Sequence, residues 1–382
     1  MIYFILLFLF VGGAFLFDSN QKNESRGKYF YWFCYLLLTL TFGLRYRVGG
    51  DTINYLIKYS MTPPISELSI GKLFLMNVEP GFALLMSFFK QFSDAFYGVQ
   101  LVESAFVNFV WFRLIQKRVS RKFLGIIFFY IMYSFYFNTE IMREAMAVAF
   151  FVLAYSKLEK QKLLQYYVIL TIGVLFHYSC IFMYIVPILK RYAVSMKKTF
   201  FIALSVLLFL SFSSVIFSYF GGYLAYKISA NEAYNFTIWG KLAAFIKYIL
   251  FPYVVLRLAT KYYRPECIRN EVNFLYIQMV IGAMSLSSYS ILMRLSNYMQ
   301  PFFLVVMVNV LGIVLLSKYK NAIYAFMLLF FVWFSYVGPY LSDVSDVKKG
   351  ARFYCIWYPY YSIFNEQEDP VREEFLQAHF NR

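Results

Sequence analysis

The chain of 382 residues is 61% hydrophobic and 23% aromatic but only 15% charged, and its mean hydropathy is +0.59. Soluble domains run at about 45–50% apolar and about 25% charged, so a water-soluble globular protein is excluded. The net charge of +16 lies in short clusters between apolar blocks, with no basic run carrying interleaved aromatics, and this excludes nucleic acid as a partner.

The blocks have the length of membrane-crossing helices and lack the ten-residue alternation of a transmembrane barrel. In chain order they predict about twelve spans, near 2–17, 29–44, 95–116, 123–137, 141–156, 163–177, 178–189, 199–219, 241–259, 274–293, 298–316 and 321–338. Two of these, 163–177 and 178–189, are short and are expected to be broken, tilted or thinned. The first block has no basic residue before it and is followed by Lys22, Arg26 and Lys28, so it reads as a retained span with its N-terminus outside. On that assignment the inner segments hold 19 Lys/Arg against 5 Asp/Glu, and the outer segments 13 against 13, the bias that orientation requires. The expected protein is therefore an all-α polytopic membrane protein, one domain over 1–382, with both termini outside. A long outer loop at 45–80 carries short interfacial helices, and the outer C-terminal tail covers 339–382. The aromatic stretch 353–364 of that tail suits the membrane interface.

Candidate chemistry collects on the outer side. Arg45, Arg47 and Asp51 flank a Gly49-Gly50 turn, which reads either as a snorkelling pair with a capping Asp or as an anion or sugar site. Residues 81–92 are apolar but too short to span, and suit a re-entrant or interfacial helix entered at Pro80. Arg143 lies just inside a span between Glu140 and Glu144, where it serves either a structural pair or a polar cavity. His177, the one histidine outside the terminal tail that holds His379, closes the block LTIGVLF beside Tyr178 and Ser179. It reads as an interfacial histidine bonded to a carbonyl or as a general base. Arg294 follows a run of serines, Ser285, Ser287, Ser288 and Ser290, and arginines from different spans meeting at one depth would clamp a phosphate. Cys34, Cys180, Cys267 and Cys355 are far apart and form neither a metal motif nor a disulfide framework. Walker, His-Glu-x-x-His and Gly-x-Ser-x-Gly motifs do not occur.

The order Arg45-Tyr-Arg47-Val-Gly-Gly-Asp51-x-x-x-Tyr55, Glu79-Pro80-Gly81-Phe82, Asn138-x-x-x-x-Arg143-Glu144-x-x-Ala147, Phe176-His177-Tyr178-Ser179 and Arg294-Leu-x-x-Tyr298 resembles the EpsG-like family of Wzy-type polysaccharide polymerases over nearly the whole chain. The resemblance implies a GT-C-like glycosyltransferase of the bacterial inner membrane. Such an enzyme joins oligosaccharide repeat units carried on polyprenyl diphosphate, as donor and acceptor, at the outer face. It implies single displacement with inversion, no cofactor, and flippase and chain-length regulator proteins as partners beside the membrane lipid. His177, Arg143 and Arg294 are then the catalytic set. Arg45, Arg47, Asp51, Tyr55, Glu79, Glu140, Glu144, Tyr178 and Tyr298 bind substrate, with Glu79 and Glu140 as rival bases. The 45–80 loop has no Asp-x-Asp, from which metal independence is expected. Competing classes are a transporter of lipid-linked oligosaccharide, which predicts two similar halves that the sequence does not show, and a membrane O-acyltransferase, which would also use a lone histidine. The surplus of arginines favours a diphosphate ligand over the second.

Overall fold

The computed structural model describes residues 1–18, 24–76, 78–191, 195–205, 238–263, 265–285, 290–316, 321–344 and 350–380. These fall into two units, Met1–Tyr184 with Tyr336–Arg382, and Ile185–Ser335. Among the described residues every extended element is helical and no β-strand forms.

The first unit holds α1 (Ile2–Gly13), α2 (Glu24–Gly43), α3 (Thr52–Ser60), α4 (Ile70–Leu75), α5 (Pro80–Lys90), α6 (Tyr97–Arg118), α7 (Lys122–Phe129), α8 (Met142–Leu158) and α9 (Leu163–Phe176). The second holds α10 (Val186–Arg191), α11 (Ile238–Phe245), α12 (Phe251–Tyr262), α13 (Pro265–Ser285), α14 (Ser290–Asn297), α15 (Gln300–Leu316) and α16 (Ala322–Val332), after which α17 (Pro370–Phe380) returns to the first.

Three helical stretches among the described residues are long and apolar enough to cross a membrane: Tyr97–Arg118, Ile238–Tyr262 and Ala322–Leu341. Shorter apolar helices occupy Ile2–Asp18, Lys122–Ser134, Leu163–Phe176, Tyr178–Lys190, Glu271–Met284 and Gln300–Leu315. Among the described residues the expected twelve spans are therefore not confirmed. Most of the expected span 199–219 lies outside the described residues, as do Ser287 and Ser288 of the serine run. The expected shortness of 163–177 and 178–189 has a visible cause. At His177 the helix stops in an extended conformation, and residues 178–185 fold back along α9 as a tight 3-10 helix, with Tyr166 donating to the carbonyl of Met183 at 2.5 Å.

Polar and aromatic contacts lock the first unit. Between α2 and α6, Tyr31 donates to the carbonyl of Phe112 at 2.6 Å and Tyr35 to that of Ala105 at 3.1 Å. Trp111 of α6 stacks on Phe129 and Tyr133, with ring centroids 4.7 and 5.3 Å away. After α7 the helix loosens into two wide turns, Tyr130–Ser134 and Tyr136–Glu140, which carry the polar residues Ser134, Asn138 and Thr139 inward. Asn138 donates to Asn108 of α6 at 3.2 Å, a side-chain bond that ties the two segments in a buried position. The hairpin α8–α9 packs closely at Gly173, where a Cβ would stand 3.1 Å from Phe150 Cβ and 3.5 Å from the carbonyl oxygen of Ala147.

Part of the aromatic tail packs inside the first unit. Cys355, Ile356 and Trp357 bury with Val48, Val344, Phe375 and Leu376 in one apolar cluster. Trp357 donates to Thr139 Oγ1 at 3.0 Å, and the amide of Gly49 donates to Ile356 at 3.1 Å. Arg372 of α17 is fully buried and donates to the carbonyls of Cys355, Arg47 and Pro359. The tail thereby roofs the loop that follows α2. One guanidinium, with its fork of donors, serves all three carbonyls.

Candidate functional site

Three helix ends meet at one place in the first unit. Glu79 is the residue before α5, where Pro80 sets the first-turn φ; Arg143 lies in the first turn of α8; His177 is the residue at which α9 stops. A Cβ on Gly81 would stand 2.9 Å from the carbonyl oxygen of Leu175, so only a glycine lets the start of α5 rest on the end of α9.

Glu79 is the centre of the group. Its Oε2 is ion-paired with Arg143 Nη1, and its Oε1 lies 3.8 Å from His177 Nε2. The three side chains keep only 8% (Glu79), 22% (Arg143) and 11% (His177) of their surface, so these charges act with less solvent screening than exposed ones. The amide of Ser179 donates to His177 Nδ1 at 3.3 Å, and its hydroxyl lies 2.6 Å from the same nitrogen. An amide can only donate, so Nδ1 carries the lone pair; in the neutral ring the proton then sits on Nε2, facing Glu79. Arg143 Nε is buried and has no hydrogen-bond partner among the described residues.

A second layer holds this one. Tyr55 is buried beside Arg143 and its hydroxyl donates to the carbonyl of Glu140 at 3.4 Å. The Glu140 carboxylate accepts from the amides of Gly50 and Asp51 at 2.7 and 3.1 Å and from Thr139 Oγ1 at 2.9 Å. That turn exists because Gly49 has φ +116° and no side chain: a Cβ would meet Thr139 Cβ at 2.6 Å. Burial pushes the Glu140 carboxyl up to about 7, against those donors.

The remaining expected residues are placed as follows. Arg45 is buried and spends its guanidinium on the carbonyls of Val48 and Phe42 and on Met142 Sδ. Arg47 is bound by Glu373 of α17 through two contacts of 2.8 and 2.5 Å. Asp51 caps the start of α3 by position, Glu144 is buried on α8, and Tyr178 is exposed next to His177. Arg294 and Tyr298 belong to the second unit, the first exposed on α14 and the second fully buried after it. Sequence reasoning missed Lys58, a half-buried lysine one turn past Tyr55 on α3, and the pair Arg372 and Glu373. A helical spacing of three from Tyr55 was the available signal for Lys58; for the tail residues there was none. Among the described residues no three His, Cys, Asp or Glu side chains gather where they would hold a metal ion.

A sequence model of the EpsG family matches residues 28–368, a range that contains Glu79, Arg143 and His177. No curated protein and no solved structure matches.

Proposed function

The chain belongs to the EpsG family, a Wzy-type polymerase-like family, and from that premise we propose that it is an inverting glycosyltransferase that lengthens a polysaccharide at the outer face of the membrane. Its substrates are oligosaccharide repeat units on polyprenyl diphosphate. The observation that carries the reading is the carboxylate of Glu79 held between Arg143 and His177.

In this reading a hydroxyl of the acceptor sugar attacks the anomeric carbon of the donor. The bond to polyprenyl diphosphate breaks and its electron pair leaves with the diphosphate. The leaving group is already a weak base, so it calls for cations and not for a proton. Each charge-assisted hydrogen bond to it is worth about 1.5–3 kcal/mol, which arginine and lysine supply without a metal ion. The hydroxyl proton goes to the Glu79–His177 pair. Ser179 occupies His177 Nδ1 and the Nε2 proton faces the carboxylate, so the open lone pairs belong to Glu79 and His177 acts as its positioning partner. Inversion needs one such acceptor.

Purified protein incubated with a polyprenyl-diphosphate oligosaccharide should yield a ladder of lengthening glycans. Donor consumed to single free repeats, or translocated intact across a vesicle wall without lengthening, would overturn the reading.

A further inference from the structure

We infer that Lys58 and Arg143 together form a site for two linked phosphate groups, and that Lys58 is what distinguishes a lipid diphosphate from a lipid monophosphate. The inference rests on the polymerase reading and deepens it.

Lys58 stands one turn beyond Tyr55 on α3, on the helix whose Tyr55 hydroxyl lies against Arg143. It is half-buried, among the described residues its ammonium makes no ion pair or hydrogen bond, and the charges that act on it are those of Arg143, Asp51 and Glu79. A half-buried cation that feels the charge of a second cation is in an unfavourable arrangement in the protein alone. Burial and the Arg143 charge both push the Lys58 ammonium below its usual range, and the two carboxylates offset this only in part. Arg143 for its part spends one nitrogen on Glu79 and leaves a buried Nε without a partner among the described residues. Unspent donors on neighbouring cations are what an oxyanion satisfies. The first turns of α5 and α8 end here as well, and add the positive ends of two helix dipoles.

Arg143 is already paired with Glu79, so the added charge of a second phosphate calls for a further cation, and Lys58 is the one on the neighbouring helix. The flexible ammonium suits a group whose position changes as the glycosidic bond breaks, and the planar guanidinium suits the fixed one.

The test compares farnesyl diphosphate with farnesyl monophosphate in binding to the purified full chain. The native protein should bind the diphosphate at least about ten-fold more tightly. Lys58→Met should bind both alike while melting at the native temperature, and Lys58→Arg should recover most of the preference. Inorganic pyrophosphate and phosphatidylglycerol vesicles, added as competitors, distinguish a free diphosphate and a general lipid headgroup from a lipid-linked diphosphate; displacement of the farnesyl probe by the vesicles as readily as by unlabelled farnesyl diphosphate would overturn the proposal. Equal binding of the two carriers by the native protein, or an undiminished preference in Lys58→Met, would also overturn it. The glycan ladder reads the polymerase activity separately. A ladder made by a protein whose carrier preference ignores Lys58 sinks this assignment alone; preference without any ladder sinks the polymerase reading and leaves the diphosphate site standing.

Discussion

Glu140 and Glu79 are both carboxylates at the same end of the first unit, yet their surroundings give them different work. Burial brings the Glu140 carboxyl to about 7, a useful value for a base, but its oxygens are occupied by two backbone amides and a hydroxyl. A group so engaged holds a turn in place. Among the described residues Glu79 faces one arginine nitrogen and one imidazole N–H, which in the proposed reaction leaves lone pairs for a sugar hydroxyl. Glu79→Gln should therefore lower chain extension by roughly 10²–10⁴-fold with donor binding kept. His177→Ala, which frees the carboxylate from its positioning partner, should lose a smaller factor. Glu140→Gln should lower thermal stability, since the amide nitrogen cannot accept from the Asp51 N–H, and should lower activity only as far as the turn loosens. Chain extension at the native rate in Glu79→Gln would move the base elsewhere, and a profound loss confined to His177→Ala would return the proton to the imidazole.

At the scale of the element, the site depends on how closely α5 lies on α9. A methyl group on residue 81 would press against the backbone of Leu175 at 2.9 and 3.1 Å, and backbone cannot swing aside as a side chain does. Gly81→Ala should cost about 1–3 kcal/mol and, by displacing the start of α5, should pull Glu79 from Arg143. The measured signs would be a lower melting temperature and slower extension in the same variant; native values of both would show that the approach has slack. This packing also explains what could be read in advance. Glu79, Arg143 and His177 each stand at a helix end, where Pro80, the charged NTEIMREA stretch and the break after LTIGVLF mark the chain. Their meeting was not legible, because a glycine contact between α5 and α9 is a property of two segments that share no pattern. Lys58 was overlooked for a related reason: a single lysine on a short amphipathic helix reads as solvated until its neighbours are known. Arg45 and Arg47, conspicuous in the sequence, turn their guanidinium groups to backbone carbonyls and to Glu373. The aromatic run of the tail had the composition of an interface, and only its contacts with Val48 and Thr139 reveal a packed cluster.

For the whole molecule, the bias of basic residues toward one set of loops makes an orientation that can be measured. Ser120 and Gln367 are both exposed, while Cys34, Cys180 and Cys355 are buried. With Cys267 replaced by serine, Gln367→Cys should react with an impermeant maleimide added to intact cells, and Ser120→Cys only after the membrane is opened. The opposite pattern would put the candidate site on the wrong face for a polymerase of exported glycans. The buried fork of Arg372 has a consequence in time. Arg47 and Glu373 are 326 residues apart in the chain, and at about 5–20 residues per second a ribosome needs on the order of tens of seconds to travel between them. Throughout that interval the loop after α2 has no roof. The turn that Glu140 grips acquires its neighbours Ile356 and Trp357 only when the tail emerges. In the proposed reading a nascent chain is therefore kept from meeting a lipid-linked substrate with a finished site, and competence arrives with the tail.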